Sequence, residues 1–299
     1  MRDFTKKTKA IIPVHLYGKA CDMTALKKIA KMANVSYNTI GKNIISFGRR
    51  REIHKPSFPF KMTSLEGASF RLIINSEGHI SEQIGRSVMI RVPEIQMLKK
   101  SISFSKKLFG QFPIEIKKTK GKNTHEIYLP GEIGDILVTS GLARGRKSIK
   151  NLPIPRDILQ GSLDIKRAYL QWSLAGEMEC TRNSNVLKLT RYVNVSHLLP
   201  THYKKTLNAG ANFKKDIPTI MLKKLATYPP QLLIGECFLL KDFGITRYPY
   251  IVSLWKYKNG GVSCAWTVSI TNKKETSILY HQIGLPLVEK RKKVKKFCL

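Results

Sequence analysis

Acidic residues are scarce in this chain. Its 299 residues hold 20 Asp and Glu against 53 Lys and Arg, for a formal charge of +33 and a pI of about 10.1. Such an excess opposes a compact fold by self-repulsion unless the partner is a polyanion, and nucleic acid is the first candidate, ahead of a membrane surface. Long apolar runs are missing too. Nothing approaches the roughly 18 residues that cross a bilayer, so no membrane partner is expected. The basic segment 1–10 is followed by no long apolar core, so no secretory signal is expected. Cysteine is sparse: Cys21, Cys180, Cys237, Cys264 and Cys298 are scattered and form no CxxC pair. They read as reduced thiols of a reducing, cytoplasmic setting, without a zinc site. His125-Glu126 lacks an HExxH frame, no GxxxxGK[ST] loop occurs, and no serine sits in a nucleophile elbow.

Apolar residues make up 42% of the chain, enough for a true core. Two stretches organise the reading: Phe70 to Gly78 (FRLIINSEG) and Leu170 to Met178 (LQWSLAGEM). Each is an apolar run ending in a small residue and one glutamate. Core helices more often end in Gly, Asn or a base, because the helix C-terminus repels negative charge. The acids Glu77 and Glu177 lie 177 − 77 = 100 residues apart, which suggests a duplicated unit. Packed side by side, two such helices would bring both carboxylates to one end. There each raises the other's pKa unless a cation intervenes, and Mg²⁺ or another hard divalent ion suits that donor set.

Taken in order, the chain begins with a basic arm and then Thr24 to Ile45, which reads as a helix-turn-helix. Asn34 tolerates the left-handed turn and Ser36 caps a second helix. Tyr37, Asn38, Thr39, Lys42 and Asn43 would face outward toward DNA. Phe47 to Phe60 is a basic, proline-containing linker, whose Arg49, Arg50 and Arg51 could follow a phosphate backbone. A helix is expected from about Ser64 to Glu77, stopped by Gly78. Strand patterns follow at 87–92, 113–117 and 125–129, with helices at 93–104 and 131–142. The second unit replays this order: a helix capped by Asp164 and ending at Glu177, a strand at 186–193, a helix-rich stretch to about Lys241, strands at 249–256 and 262–270 around an Asn-Gly turn, and a helix at 276–283. Gly141 follows Glu77 by 64 residues and Gly284 follows Glu177 by 107, so the extra length falls in 195–235. Of the seven histidines, His79, two residues past Glu77, lies nearest a motif acid in sequence.

This pattern resembles the LAGLIDADG homing endonuclease family in its single-chain, two-repeat form, over roughly 64–299. The two motif stretches carry the resemblance, supported by IGDILVTSGLARGRK and HQIGLPLVEKRKK, each an Ile/Leu-Gly helix end followed by a basic tail. It implies an α+β fold of two pseudo-symmetric αββαββα repeats, 63–163 and 164–299, forming a saddle of antiparallel sheets behind a helix-turn-helix domain and linker at 1–62. It further implies Glu77 and Glu177 as catalytic, metal-binding residues for phosphodiester hydrolysis with two or three divalent ions, Mg²⁺ first. A basic residue near each site completes the electrostatics, at positions that vary in the family. Arg86, Arg91, Lys117, Lys118, Lys188, Arg191 and Lys256 would face outward and meet phosphates or guanine edges. The resemblance also implies double-stranded DNA as the partner, bound by a monomer.

The chain departs from the family pattern where the helices should touch. Leu72 and the bulky Trp172 stand at a position that favours small residues, so the far end of the helix pair is expected to splay. Met178 replaces the glycine after the second acid, whereas Ser76 and Gly176 keep a small residue before each acid. Two further readings share the scaffold: a catalytically silent DNA-binding regulator, and an RNA-binding maturase acting on intron RNA.

Overall fold

The computed structural model describes residues 60–83, 87–181, 186–201, 210, 212–258 and 260–298, all within one compact unit, Pro56–Leu299. The helix-turn-helix and linker expectations, with Tyr37, Asn38, Thr39, Lys42, Arg49, Arg50 and Arg51, lie outside the described residues, as does Arg86.

Helix α1 (Leu65–Glu77) opens the first repeat, and Ser64 caps it by accepting from the Gly67 amide at 3.1 Å. Strands β1 (Gly78–Ile80) and β2 (Val88–Val92) follow, then α2 (Ile95–Phe109), β3 (Lys117–Lys118), β4 (His125–Leu129) and α3 (Gly131–Thr139). Short helices α4 (Lys147–Lys150) and α5 (Arg156–Leu159) lead into α6 (Leu163–Glu177). The second repeat continues with β5 (Met178–Thr181), β6 (Val186–Asn194), α7 (Thr219–Ala226), α8 (Gln231–Lys241), β7 (Tyr250–Lys256) and β8 (Val262–Ile270). Helix α9 (Lys273–Ile278) passes into a π-helical turn, Leu279–Ile283, and α10 (Val288–Cys298) closes the described chain. The antiparallel sheets have matching orders, β1-β2-β4-β3 and β5-β6-β8-β7. This is the α+β fold of two αββαββα units that the resemblance implied.

Several boundaries differ from expectation for local reasons. Ser162, not Asp164, caps α6; its hydroxyl accepts from the Ile165 amide, and Asp164 sits in the first turn. The expected strand at 113–117 shrinks to an edge pair, Lys117–Lys118, against β4. Helix α2 runs five residues past Phe104, to Phe109. Gly78 ends α1 with an extended backbone (φ −87°), not a left-handed one; a Cβ there would stand 2.7 Å from the Ile74 backbone, so close approach is what requires glycine. The short strands β1 and β5 and the helical form of the basic tail went unrecognised in the sequence.

Helices α1 and α6 pack against each other at the centre, and one apolar cluster spans both repeats through Phe70, Leu72, Leu170, Trp172 and Leu174. The far end does not splay. The Ser69 hydroxyl donates to the Ala168 carbonyl at 3.4 Å, and Trp172 meets Phe104 of α2 edge-on at 5.6 Å. Buried Arg71 on α1 pairs with Asp157 of α5 at 2.6 Å and donates to the Met62 carbonyl, tying the connecting segment to the central helix. A second cluster, with Val193, Leu254 and Trp266, fills the second repeat.

Candidate active site

The two acids meet, as the duplicated motif required. Glu77 and Glu177 are the last residues of α1 and α6. The ends are in contact: a Cβ added to Gly176 would lie 3.4 Å from Glu77 Oε1. Burial, and then the charge of Glu177, hold the Glu77 carboxyl above the usual carboxylate range. Among the described residues no cationic side chain reaches ion-pair distance of Glu77.

Neither helix carries a base in its last turn, so the compensation for an acid at a helix C-terminus comes from elsewhere. Lys147 of α4 donates to the Ile74 and Ser76 carbonyls at 2.8 and 3.1 Å. Lys290 of α10 donates to those of Leu174, Gly176 and Met178 at 3.4, 3.0 and 2.8 Å. The two lysines thus bond to matching positions in the two repeats. Burial lowers the Lys147 pKa to about 7, with Glu77 opposing the shift, and burial also lowers that of Lys290. Each motif helix end thus has one basic side chain beside it, as the resemblance implied without naming the positions. A signal was present: each lysine is the sixth residue after the glycine of its Gly-Leu pair, Gly141 to Lys147 and Gly284 to Lys290.

Arg191 corrects an expectation. It was placed on the outward face, yet it is only 5% exposed and points into the helix layer. Its guanidinium donates to Glu177 Oε1 at 2.7 Å, to Ser76 Oγ at 3.0 Å, to Ser173 Oγ at 3.0 Å and to both oxygens of buried Glu236, at 2.6 and 3.1 Å. Ser173 also donates to Glu236. Burial alone would lower the Arg191 pKa; Glu236 and Glu177 outweigh it and hold the charge in place. The strand pleat explains the error. In β6, Leu187, Leu189, Arg191 and Val193 alternate inward while Lys188, Thr190 and Tyr192 face the other way, so Lys188 and Arg191 cannot share a face.

The remaining candidates divide by register. Arg91, opposite Glu126, is on the open face of the first sheet and pairs with that glutamate at 2.6 Å. Lys117, also opposite Glu126, shares that face; Lys118 stands opposite His125 and belongs to the other side of the edge. Lys188 is on the open face of the second sheet. Lys256 is corrected as well: it pairs with buried Val262 and so takes the inward side of the edge strand. His79 lines a cavity of about 340 Å³ that also contains Ser76, Lys147, Glu177, Arg191 and Tyr192.

The donor set suits a divalent cation only in part. Glu77 fits: it is partly buried, unpaired among the described residues, and destabilised by Glu177. Glu177 has one oxygen committed to Arg191. No group of three or more His, Cys, Asp or Glu side chains that could hold a metal occurs among the described residues. Any ion here would therefore draw most ligands from water and phosphate, as Mg²⁺ does.

Comparison with known proteins adds little beyond the fold. A model of the DegT/DnrJ/EryC1/StrS aminotransferase family matches residues 2–37, a stretch overlapping the expected helix-turn-helix. No curated protein matches the chain. Among solved structures, it is similar to the homing endonuclease I-DmoI in a study of mesophilic variants (11% identity, 76% of this chain and 96% of that one, TM-score 0.43). It is similar to I-DmoI in complex with DNA and Mn (10% identity, 76% and 100%, TM-score 0.42). It is also similar to full-length DUF199/WhiA from Thermatoga maritima (12% identity, 81% and 62%, TM-score 0.40). At these scores the likeness carries no weight of its own, and the site is read from its residues.

Proposed function

We propose that the protein is a LAGLIDADG-type endonuclease that binds double-stranded DNA selectively and hydrolyses it with a divalent cation, Mg²⁺ first, at Glu77 and Glu177. One observation carries this reading: two carboxylates held against each other at the matched ends of paired helices, one of them without a cationic partner among the described residues. A bound ion would supply Lewis-acid polarisation of a phosphate oxygen and a more acidic water. The chain's own residues do the rest. Glu77 presents a carboxylate without a cationic partner among the described residues; Arg191 fixes the rotamer of Glu177; Lys147 and Lys290 neutralise the helix ends. With a pKa of about 7, the Lys147 ammonium can give up or regain a proton near neutrality. On the open faces, Arg91, Lys117 and Lys188 are available to phosphates. The repeat division at 63–163 and 164–299, the N-terminal reader at 1–62 and a monomeric state belong to the same proposal.

A second reading is favoured by Arg191, whose guanidinium already neutralises Glu177. In that case the chain binds DNA without cutting it. Cleavage-site selection from random duplex DNA in Mg²⁺ decides between them. The nuclease reading expects specific cutting that is lost in Glu77→Gln and Glu177→Gln, with binding retained in EDTA. Selective binding with no cutting in Mg²⁺ or Mn²⁺ establishes the silent regulator. Preference for intron RNA over every selected duplex would establish the maturase.

A further inference from the structure

The open faces of the two sheets differ in chemistry. On the first, Arg91, Glu126 and Lys117 cluster, with Arg91 paired to Glu126. On the second, Tyr192 of β6 and Tyr250 and Trp255 of β7 surround the small residues Ser253, Ser263 and Ala265. The three rings are 53%, 47% and 36% exposed. Two are held in place: the Tyr250 hydroxyl shares a 2.7 Å hydrogen bond with Ser269, and Trp255 Nε1 donates to Ser253 Oγ at 2.7 Å. The small residues between them are themselves buried, so the three rings form the exposed part of this face.

Exposed aromatic patches of this kind mark interaction surfaces. Rings fixed on a sheet suit the π-faces of unpaired bases, whereas duplex edges are read by Arg, Lys, Asn and Gln. The charge agrees, since the chain carries +33. Lys188 stands at one end of the face. At the other end is a cleft of about 560 Å³ lined by Arg146, Asn194, Tyr257 and Lys258. Arg146 and Tyr192 also line the acid-pair cavity, so the face runs into the candidate active site.

We propose that the open face of the second sheet binds an unpaired DNA strand, its bases stacked on Tyr192, Tyr250 and Trp255 and its phosphates held by Lys188, Arg146 and Lys258. This rests on nucleic acid being the partner and goes beyond duplex readout: the second repeat engages a locally opened strand leading toward Glu177. Trp255 is a built-in reporter, because Trp172 and Trp266 are buried. The full chain is titrated with a single-stranded DNA of about ten nucleotides and with the duplex of the same sequence, reading tryptophan fluorescence. The single strand is expected to quench it, and Trp255→Phe to remove the quenching while binding persists by anisotropy. The double variant Tyr192→Ser with Tyr250→Ser should weaken single-strand binding about tenfold or more and leave duplex binding within about twofold. Equal weakening of both ligands, or unchanged single-strand binding in that variant, overturns the proposal. Single-stranded RNA bound more than about tenfold tighter than DNA overturns the assignment to DNA. Single-strand binding that follows these expectations in a protein showing no duplex cleavage supports the platform while removing the nuclease reading.

Discussion

Neutralising the two glutamates one at a time should shift stability in opposite directions, although the residues occupy matching positions. Glu77 is a charge without a cation among the described residues, destabilised by burial and by Glu177. Its folded pKa is raised, so its contribution is fully present below the unfolded value near 4.5 and is lost as pH rises through the folded value. Glu77→Gln removes that loss and should stabilise the protein near pH 7 by about 1 kcal/mol, the scale of charge relief at functional sites. Glu177 instead accepts a 2.7 Å charge-assisted hydrogen bond from buried Arg191. Glu177→Gln keeps an acceptor but loses the charge, at a cost of about 1–3 kcal/mol. At about 2–4 °C per kcal/mol for a chain of this size, melting temperature should rise by about 2–4 °C in the first variant and fall by about 2–12 °C in the second. Circular dichroism melts near pH 7 and pH 4 provide the assay. The gain from Glu77→Gln should largely vanish at the lower pH, where the carboxyl is mostly protonated in both states. A fall in both variants, or a gain at Glu77 that survives at pH 4, would refute the claim that Glu77 is the strained member of the pair.

Other outcomes follow from the same geometry. Arg191→Met strands buried Glu236 and should cost about 3–5 kcal/mol in urea denaturation, whereas adding Glu236→Leu should recover part of the loss. Lys147 titrates at about 7 when folded and 10.5 when not, so the unfolded chain holds more protons between these values and stability should climb with pH across that window. Lys147→Met should flatten that climb in urea midpoints taken near pH 7 and pH 9. Lys188→Ala should reduce the slope of log binding constant against log salt by about one for DNA, measured by anisotropy, whereas a buried residue such as Arg71 contributes nothing to that slope. Arg71→Met should lower stability by about 3 kcal/mol in a denaturant titration, because Asp157 loses its partner and the Met62 carbonyl a donor.

The sequence by itself determined the duplication, the two acidic helix ends 100 residues apart, the strands at 186–193 and 262–270, and the positive charge, because periodicity and composition are local properties. Tertiary structure alone decided which distant cations would answer those acids: Lys147 and Lys290 arrive from chain 70 and 113 residues beyond their glutamates. It also decided the fate of the arginines. Arg91 and Arg191 each follow an acid by 14 residues, yet Arg91 faces solvent and Arg191 the interior. Gly78 pairs with Ile90 and Met178 with Leu189, a register difference of one residue. On a pleated strand one residue is one face, and the side chain that would have met a phosphate became the buried partner of Glu177 and Glu236.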